Sequence, residues 1–374
     1  MAHGIQPGGT ELKLALAVVL AVGILGGSGW FASRKTPIPD PLLNDINVDI
    51  VPPPEVAPFD PKPLMEKLNE RIKTDKFRFA ALGDTKHAST LPAFMKYIEE
   101  TVNPDFVLTT GDMVKSGGGK VGPGYYQLLT NELGQSMRKR PWWPAIGNHE
   151  IAGNPVITKK TANDQLRLNQ QTGIENFKLF YNLPDDHYSF PFRNCYFIAL
   201  PFRQALADQM VWLEAELKKA VDAKKHIFIF NHAPFFTIGA KGADEIPNIE
   251  TPITKLFQKY GVKAVFSGHD HGYYRTVRSG IPYFVSAGGG ATIYAAKRVS
   301  EALPEDVYYY GMLDTYGKLE KDKRYMLHKN DGQPNKITDK PDQFMCVIDV
   351  DGDKINCFTV TVKGEKWDEI QLSK

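Results

Sequence analysis

Apolar residues in this chain gather into short runs, each followed by a Gly, Asn or Asp that reads as a turn. Five such runs are Phe77–Leu82, Phe106–Thr110, Trp142–Ile146, Ile227–Phe230 and Ala264–Ser267, and each predicts a buried strand. Three more, Tyr283–Ser286, Phe344–Val350 and Ile355–Val362, predict strands near the carboxyl end, the last two as a hairpin. Between them the spacing changes to that of helices over 89–102, 124–138, 208–223 and 252–260. Gln209–Leu217 carries the clearest helical stripe. Strands alternating with helices predict an α/β domain over 64–374. Two packed sheets with helices outside make it a four-layer α/β/β/α sandwich.

The amino end follows a different pattern. Leu14–Ala32 is apolar or small throughout and carries no charge, a length that just spans a hydrocarbon core of about 30 Å. It predicts a single transmembrane helix after a tail over 1–13. The rival reading is a cleavable signal peptide, but Trp30 and Phe31 make a poor cleavage site beside Ala32. Lys13 on one side and Arg34 with Lys35 on the other leave the orientation undecided by charge. Single amino-terminal anchors commonly serve exported domains, so a periplasmic or extracellular domain is expected. Residues 36–63 are rich in proline, including Pro52-Pro53-Pro54, and read as a semi-rigid linker. A polar stretch over 297–342 with Tyr308-Tyr309-Tyr310 and Tyr316 reads as an insertion, either a contact surface or lid or a packed cover on the sheet.

Composition narrows the function classes. A formal net charge of +2 gives no attraction to nucleic acid, and none is expected as a partner. Three cysteines without a CxxC pair argue against a zinc ribbon or a disulfide framework. Cys346 and Cys357 flank Asp351-Gly352, and a two-residue turn there sets them opposite each other. Two buried thiols are expected there in preference to a bridge, and Cys195 is expected in the core.

The candidate chemistry lies at the strand ends. The five runs lead into Gly83-Asp84, Gly111-Asp112, Gly147-Asn148-His149-Glu150, Asn231-His232 and Gly268-His269-Asp270-His271. Each motif alone is weak, since a Gly-Asp after a strand is a common turn. All five together, in one crevice at the carboxyl ends of strands, bring oxygen and imidazole donors to one point. That donor set suits a pair of divalent or trivalent metal ions such as Mn, Fe, Zn or Mg.

As a set, these segments resemble the calcineurin-like metallophosphoesterases, the superfamily that includes the purple acid phosphatases. The likeness covers roughly residues 76–290. Gly147-Asn148-His149-Glu150 and the run from His269 to Arg275, read as His-x-His-x-Tyr-x-Arg, lean toward the purple acid phosphatase branch. The resemblance implies that Asp112 bridges two metals, that Asn148, His232 and His269 complete the second site, and that Asp84 and His271 belong to the first. It implies that His149 contacts the phosphoryl group or protonates the leaving oxygen, with Glu150 orienting it. Arg275 either binds phosphate oxygens or braces the histidine loop. The implied reaction is hydrolysis of a phosphate monoester by water acidified on the metals. A phosphodiesterase, a nucleotide pyrophosphatase and a non-catalytic binding module with a degraded first site are the alternatives.

The chain also departs from that family. Lys86 stands where many members have a histidine ligand, and Lys115 where purple acid phosphatases have tyrosine, so no purple colour is expected. His87, one residue out of register, is either a substitute ligand or simply the opening of a helix. Lys86 either adds positive charge at a weak first site, or binds the phosphate, or faces solvent. Ser116–Lys120 lacks the spacing of a phosphate-binding loop. His187, His226 and His328 have no motif around them and are assigned no role.

Overall fold

The computed structural model describes residues 59–86, 91–152, 162–202, 209–241, 249–313, 324–330 and 335–372. The apolar segment Leu14–Ala32, nearly all of the proline-rich linker, His87 and Tyr316 lie outside these residues. Among the described residues no helix is long and apolar enough to cross a membrane.

Two sheets carry the fold. In the smaller, β1 (Lys76–Leu82), β2 (Phe106–Thr109) and β3 (Trp142–Pro144) run parallel. The antiparallel strands β13 (Phe344–Asp351), β14 (Lys354–Thr361) and β15 (Lys366–Gln371) extend it beyond β1. In the larger, β5 (Cys195–Ala199), β6 (His226–Phe230), β7 (Ala264–Ser267) and β9 (Ile281–Ser286) run parallel. The strands β4 (Tyr188–Phe192), β8 (Tyr273–Arg278), β10 (Val307–Gly311), β11 (Tyr325–His328) and β12 (Lys336–Thr338) complete it.

Aromatic rings fill the space between the sheets. Phe79 of β1 meets Phe197 of β5 and Phe228 of β6 edge-on, at 5.2 and 5.3 Å between ring centres. Alternation along β1 sends Arg78, Ala80 and Leu82 to the opposite face. There Arg78 donates to Val102 O, at the end of the helical segment that begins with α2 (Leu91–Tyr97). On the outer face of the larger sheet, Leu213 and Leu217 of α6 (Met210–Asp222) and Phe257 of α7 (Pro252–Lys259) join the strand residues in one core. Helices therefore lie outside a pair of facing sheets.

Several elements differ from the sequence expectation. A helix, α1 (Lys62–Arg71), already begins inside the last residues of the expected linker. The helix α3 (Gly122–Lys139) matches its prediction closely, but the 20-residue α5 (Ala162–Tyr181) was not foreseen. Its apolar stripe appears only late, where Phe177, Phe180 and Tyr181 are buried. Tyr308, Tyr309 and Tyr310 are all buried in β10, paired to β8, so this part of the insertion is packed cover and no lid. The Tyr310 ring occupies space that a side chain at Gly272 would take, 2.1 Å from a Cβ placed there.

The β13–β14 turn falls one residue later than expected, which shifts each residue's partner by two. Asp351 pairs with Lys354, so Cys346 faces Thr359 and Cys357 faces Ile348. The two cysteines are therefore not opposite each other. Both are buried free thiols, as is Cys195 in the core.

Candidate metal centre

The carboxyl ends of β1, β2 and β3 in one sheet, and of β6 and β7 in the other, open onto the same crevice. Three of the five ligand-bearing loops turn sharply as they leave their strands. Asp84, Asp112 and His269 adopt left-handed backbone conformations with φ of 61°, 57° and 70°. Such conformations are uncommon outside glycine and gather at functional sites, where surrounding packing enforces them. They fold each side chain back over its strand end and toward the others. The loops interlock too tightly for a side chain at Gly268, whose Cβ would lie 2.6 Å from Asp84 Oδ2.

Two clusters result, both buried. Asp112, His232 and His269 form one, and Asp84, Asp112 and His271 the other. Asp112 straddles them. Its Oδ1 lies 3.2 Å from His232 Nε2, and its Oδ2 lies 2.9 Å from Lys86 Nζ. Asn148, at the start of the short helix α4 (Asn148–Ile151), places its Oδ1 3.0 Å from His232 Nε2 and 2.8 Å from His269 Nδ1.

The ring orientations are set from outside. His232 Nδ1 lies 2.6 Å from Thr110 O, and His271 Nδ1 2.8 Å from Thr292 O. A ring nitrogen beside a carbonyl must carry its proton. In the neutral rings both Nε2 atoms therefore turn a lone pair into the clusters, the outer-partner arrangement usual for metal-binding histidines. Carboxylate, amide and imidazole acceptors meeting at about 3 Å call for a positive charge between them. The charge balance shows the same demand: burial opposes charging His232, yet Asp112 and Asp84 raise its pKa above the ordinary value. Asp84 and Asp112 are held below the usual carboxylate range, although burial alone would push both upward. The residues thus fit a metal pair bridged by one carboxylate.

His149 stands at the edge, with 31% of its side chain exposed and its Nε2 3.8 Å from Asp112 Oδ2. Its Nδ1 lies 2.6 Å from Lys115 O, which fixes the ring and leaves Nε2 toward the crevice. Burial lowers its pKa to about 4, against the opposing pull of Asp112.

Glu150 does not orient His149, contrary to the expectation from the motif. Its carboxylate is fully engaged on backbone N–H groups of Asp112, Met113, Val114 and Gly147 at 2.7–3.3 Å. It therefore shapes the loop that presents Asp112. Arg275 is not brought to the clusters either. It lies on β8 with its side chain 11% exposed, donating from Nε to Asp368 of β15 at 2.5 Å. Tyr273 donates to the same carboxylate at 2.8 Å, so the pair braces one sheet against the other. A guanidinium committed to a buried carboxylate is not available for phosphate.

Two aromatic neighbours were not found from sequence. The Tyr294 ring stacks on His271 with centres 4.1 Å apart and planes 12° apart. The Phe202 ring lies 5.9 Å from that of His232. Neither sits in a motif or at a predicted strand end, so no local signal marked them.

Comparison with known proteins agrees with this geometry. Residues 77–273 match the family model described as Metallophos, calcineurin-like phosphoesterase. The chain belongs to that family, as a metal-dependent phosphoesterase, and its relatives among known proteins support the purple acid phosphatase-like branch. It is similar to human tartrate-resistant acid phosphatase type 5, at 25% identity over 275 residues, covering 65% of this chain and 82% of the relative. Purple acid phosphatase 22 of Arabidopsis thaliana is 27% identical over 212 residues, 54% of this chain and 45% of that protein. Among solved structures, purple acid phosphatase PPD1 from yellow lupin superposes with a TM-score of 0.57 at 16% identity, covering 80% of this chain and 54% of that one. That likeness is one of fold.

Proposed function

We propose that this chain is a membrane-anchored phosphomonoesterase. Its metal ligands are Asp84, Asp112, Asn148, His232, His269 and His271, and its principal catalytic side chain is His149. The observation that carries the reading is the convergence of these six donors, from five strand ends in two sheets, beside the open Nε2 of His149. Metal ions held there supply Lewis-acid charge to a phosphoryl group and acidify water.

The protein's own groups do the rest. Asp112 turns one oxygen to each cluster, so a single buried carboxylate serves both. Asn148 contributes a neutral oxygen, which limits the negative charge facing an anionic substrate. His149, fixed through Lys115 O, presents Nε2 to the crevice. With Nδ1 holding the neutral ring's proton, only the protonated ring, favoured at acid pH, donates from Nε2 to a phosphoryl oxygen or passes a proton to the leaving alkoxide.

The preference for monoesters rests on similarity to proteins named as acid phosphatases. The anchor is proposed over 14–32, joined by the linker over 36–63 to a catalytic domain over 64–374. Support comes from the uncharged length of Leu14–Ala32. An exported domain fits the common use of single amino-terminal anchors.

The test is metal-dependent hydrolysis of p-nitrophenyl phosphate against bis-p-nitrophenyl phosphate by the full chain in detergent, with Asp112→Asn alongside. Monoester preference is expected. The variant should lose activity by about 10²-fold or more, the scale of one lost charge-stabilising group. Diester preference would move the reading to a phosphodiesterase. No turnover with Mn, Fe, Zn or Mg would favour a binding module.

A further inference from the structure

The Lys86 ammonium sits inside the first cluster. Its Nζ lies 2.8 Å from His271 Nε2, 2.9 Å from Asp112 Oδ2 and 3.7 Å from Asp84 Oδ1. These belong to the same three residues whose donor atoms form that cluster. An ammonium offers three N–H donors and no acceptor, and here three acceptors face it. Neither Asp84 Oδ1 nor Asp112 Oδ2 accepts a well-directed hydrogen bond from any described residue, Lys86 included, so what the ammonium gives these buried oxygens is close positive charge. Without a cation nearby both would be buried with neither hydrogen bond nor countercharge, which is costly.

The placement is built into the loop. Lys86 has a left-handed backbone with φ of 43°, and its N–H donates to Asp112 O at 3.3 Å. The backbone is thereby tied to the residue that bridges the clusters. Only 12% of the side chain is exposed, so this is no surface lysine resting near a site. In the second cluster Asp112 Oδ1 lies 3.2 Å from His232 Nε2, and Asn148 Oδ1 meets the His232 and His269 rings at 3.0 and 2.8 Å.

We propose that Lys86 is a resident cation of the first cluster. It competes with metal for the lone pairs of Asp84, Asp112 and His271. The chain then retains one metal ion firmly, at Asp112, Asn148, His232 and His269. A second ion enters only by displacing the ammonium. The inference deepens the phosphoesterase reading and rests on its assignment of metal ligands. In this arrangement the positive charge beside the phosphoryl group comes from one firmly held ion and one ammonium.

The experiment is metal content of the full chain in detergent, loaded with Mn(II), dialysed against metal-free buffer and measured by elemental analysis. Mn(II) electron paramagnetic resonance is recorded on the same samples. Wild type is expected to retain one equivalent and to give an isolated-ion spectrum. Lys86→Ala and Lys86→Met should each retain one equivalent more and show the broadened signal of two neighbouring ions. Equal metal content in wild type and both folded variants, whatever the number, overturns the proposal. So does a coupled two-ion spectrum from dialysed wild type. Circular dichroism identifies any variant that does not fold, and Met, which keeps much of the lysine stem, gives a second chance at a folded protein. Hydrolysis of p-nitrophenyl phosphate is read separately. If no form turns it over while the stoichiometry changes as expected, the phosphatase reading fails and the role of Lys86 stands.

Discussion

Lys86 and His149 approach the same atom, Asp112 Oδ2, at 2.9 and 3.8 Å. Their residue types were visible in the sequence, but their relation was not. Lys86 had three open readings there, and only the distances to His271 and the two carboxylates choose among them. Glu150 shows the reverse. Its place in the motif suggested a partner for His149, while the structure commits it to four backbone N–H groups. The reason is that a side chain's partner is set by whichever loop packs beside it, and those loops are distant in sequence. At this scale there is also a pH prediction, away from the metal centre. His226 lies 3.1 Å from Asp353, and its pKa is lowered by burial and by Lys263, with Asp353 opposing. The fold therefore prefers the neutral ring. That preference is fully satisfied above the unfolded value of 6.5 and is lost as pH falls through the folded value. Urea unfolding of wild type and His226→Gln between pH 7.5 and 5 should show the wild type losing more stability than the variant. A larger loss in the variant would reverse the assignment.

Elements were legible where their hydrophobic period was strong. All five strands that end in ligands were placed within a few residues, because buried parallel strands read as short apolar runs closed by turns. α5 is not legible because its amino-terminal half is polar, and β8 because Arg275, Thr276 and Arg278 interrupt its apolar run. The β13–β14 register was missed by a turn placed differently around Gly352, whose φ of 62° suits it to the turn itself. The glycines at the strand ends do more than turn the chain. Gly268→Ala would put a methyl group 2.6 Å from Asp84 Oδ2 and 2.8 Å from Thr110 Oγ1. We expect it to destabilise the protein by about 1–3 kcal/mol, the usual cost of overpacking, and to weaken metal retention in the same preparation. Calorimetry with elemental analysis checks both. Unchanged metal content and melting temperature would show that the loops do not interlock as described.

The whole molecule decides what no single element does, namely that two sheets share one crevice. β1, β2 and β3 present Asp84, Asp112 and Asn148 from one sheet, and β6 and β7 present His232, His269 and His271 from the other. The sheets must therefore be held in register, and the Arg275–Asp368 pair between β8 and β15 is one of the ties. Both partners are largely buried, at 11% and 7% side-chain exposure, so Arg275→Ala leaves an uncompensated buried carboxylate. A loss of about 3–5 kcal/mol is expected in urea unfolding, with little change in KM for a phosphate monoester. A raised KM at unchanged stability would return Arg275 to the substrate.

The sequence by itself determined the strands, the α/β class and the donor types, since these follow from local hydrophobic period and from chemistry carried by single residues. It also supplied the family likeness, through motifs that are contiguous in the chain. The tertiary structure alone decided which sheet each strand joined, which backbone carbonyls orient His149, His232 and His271, and that Arg275 turns to Asp368. It also decided that a lysine ammonium lies among the acceptors of the first cluster. Those outcomes depend on groups from separate elements meeting, 21 residues apart for His271 and Thr292 and 185 for Lys86 and His271, where packing sets the distance and no local pattern records it.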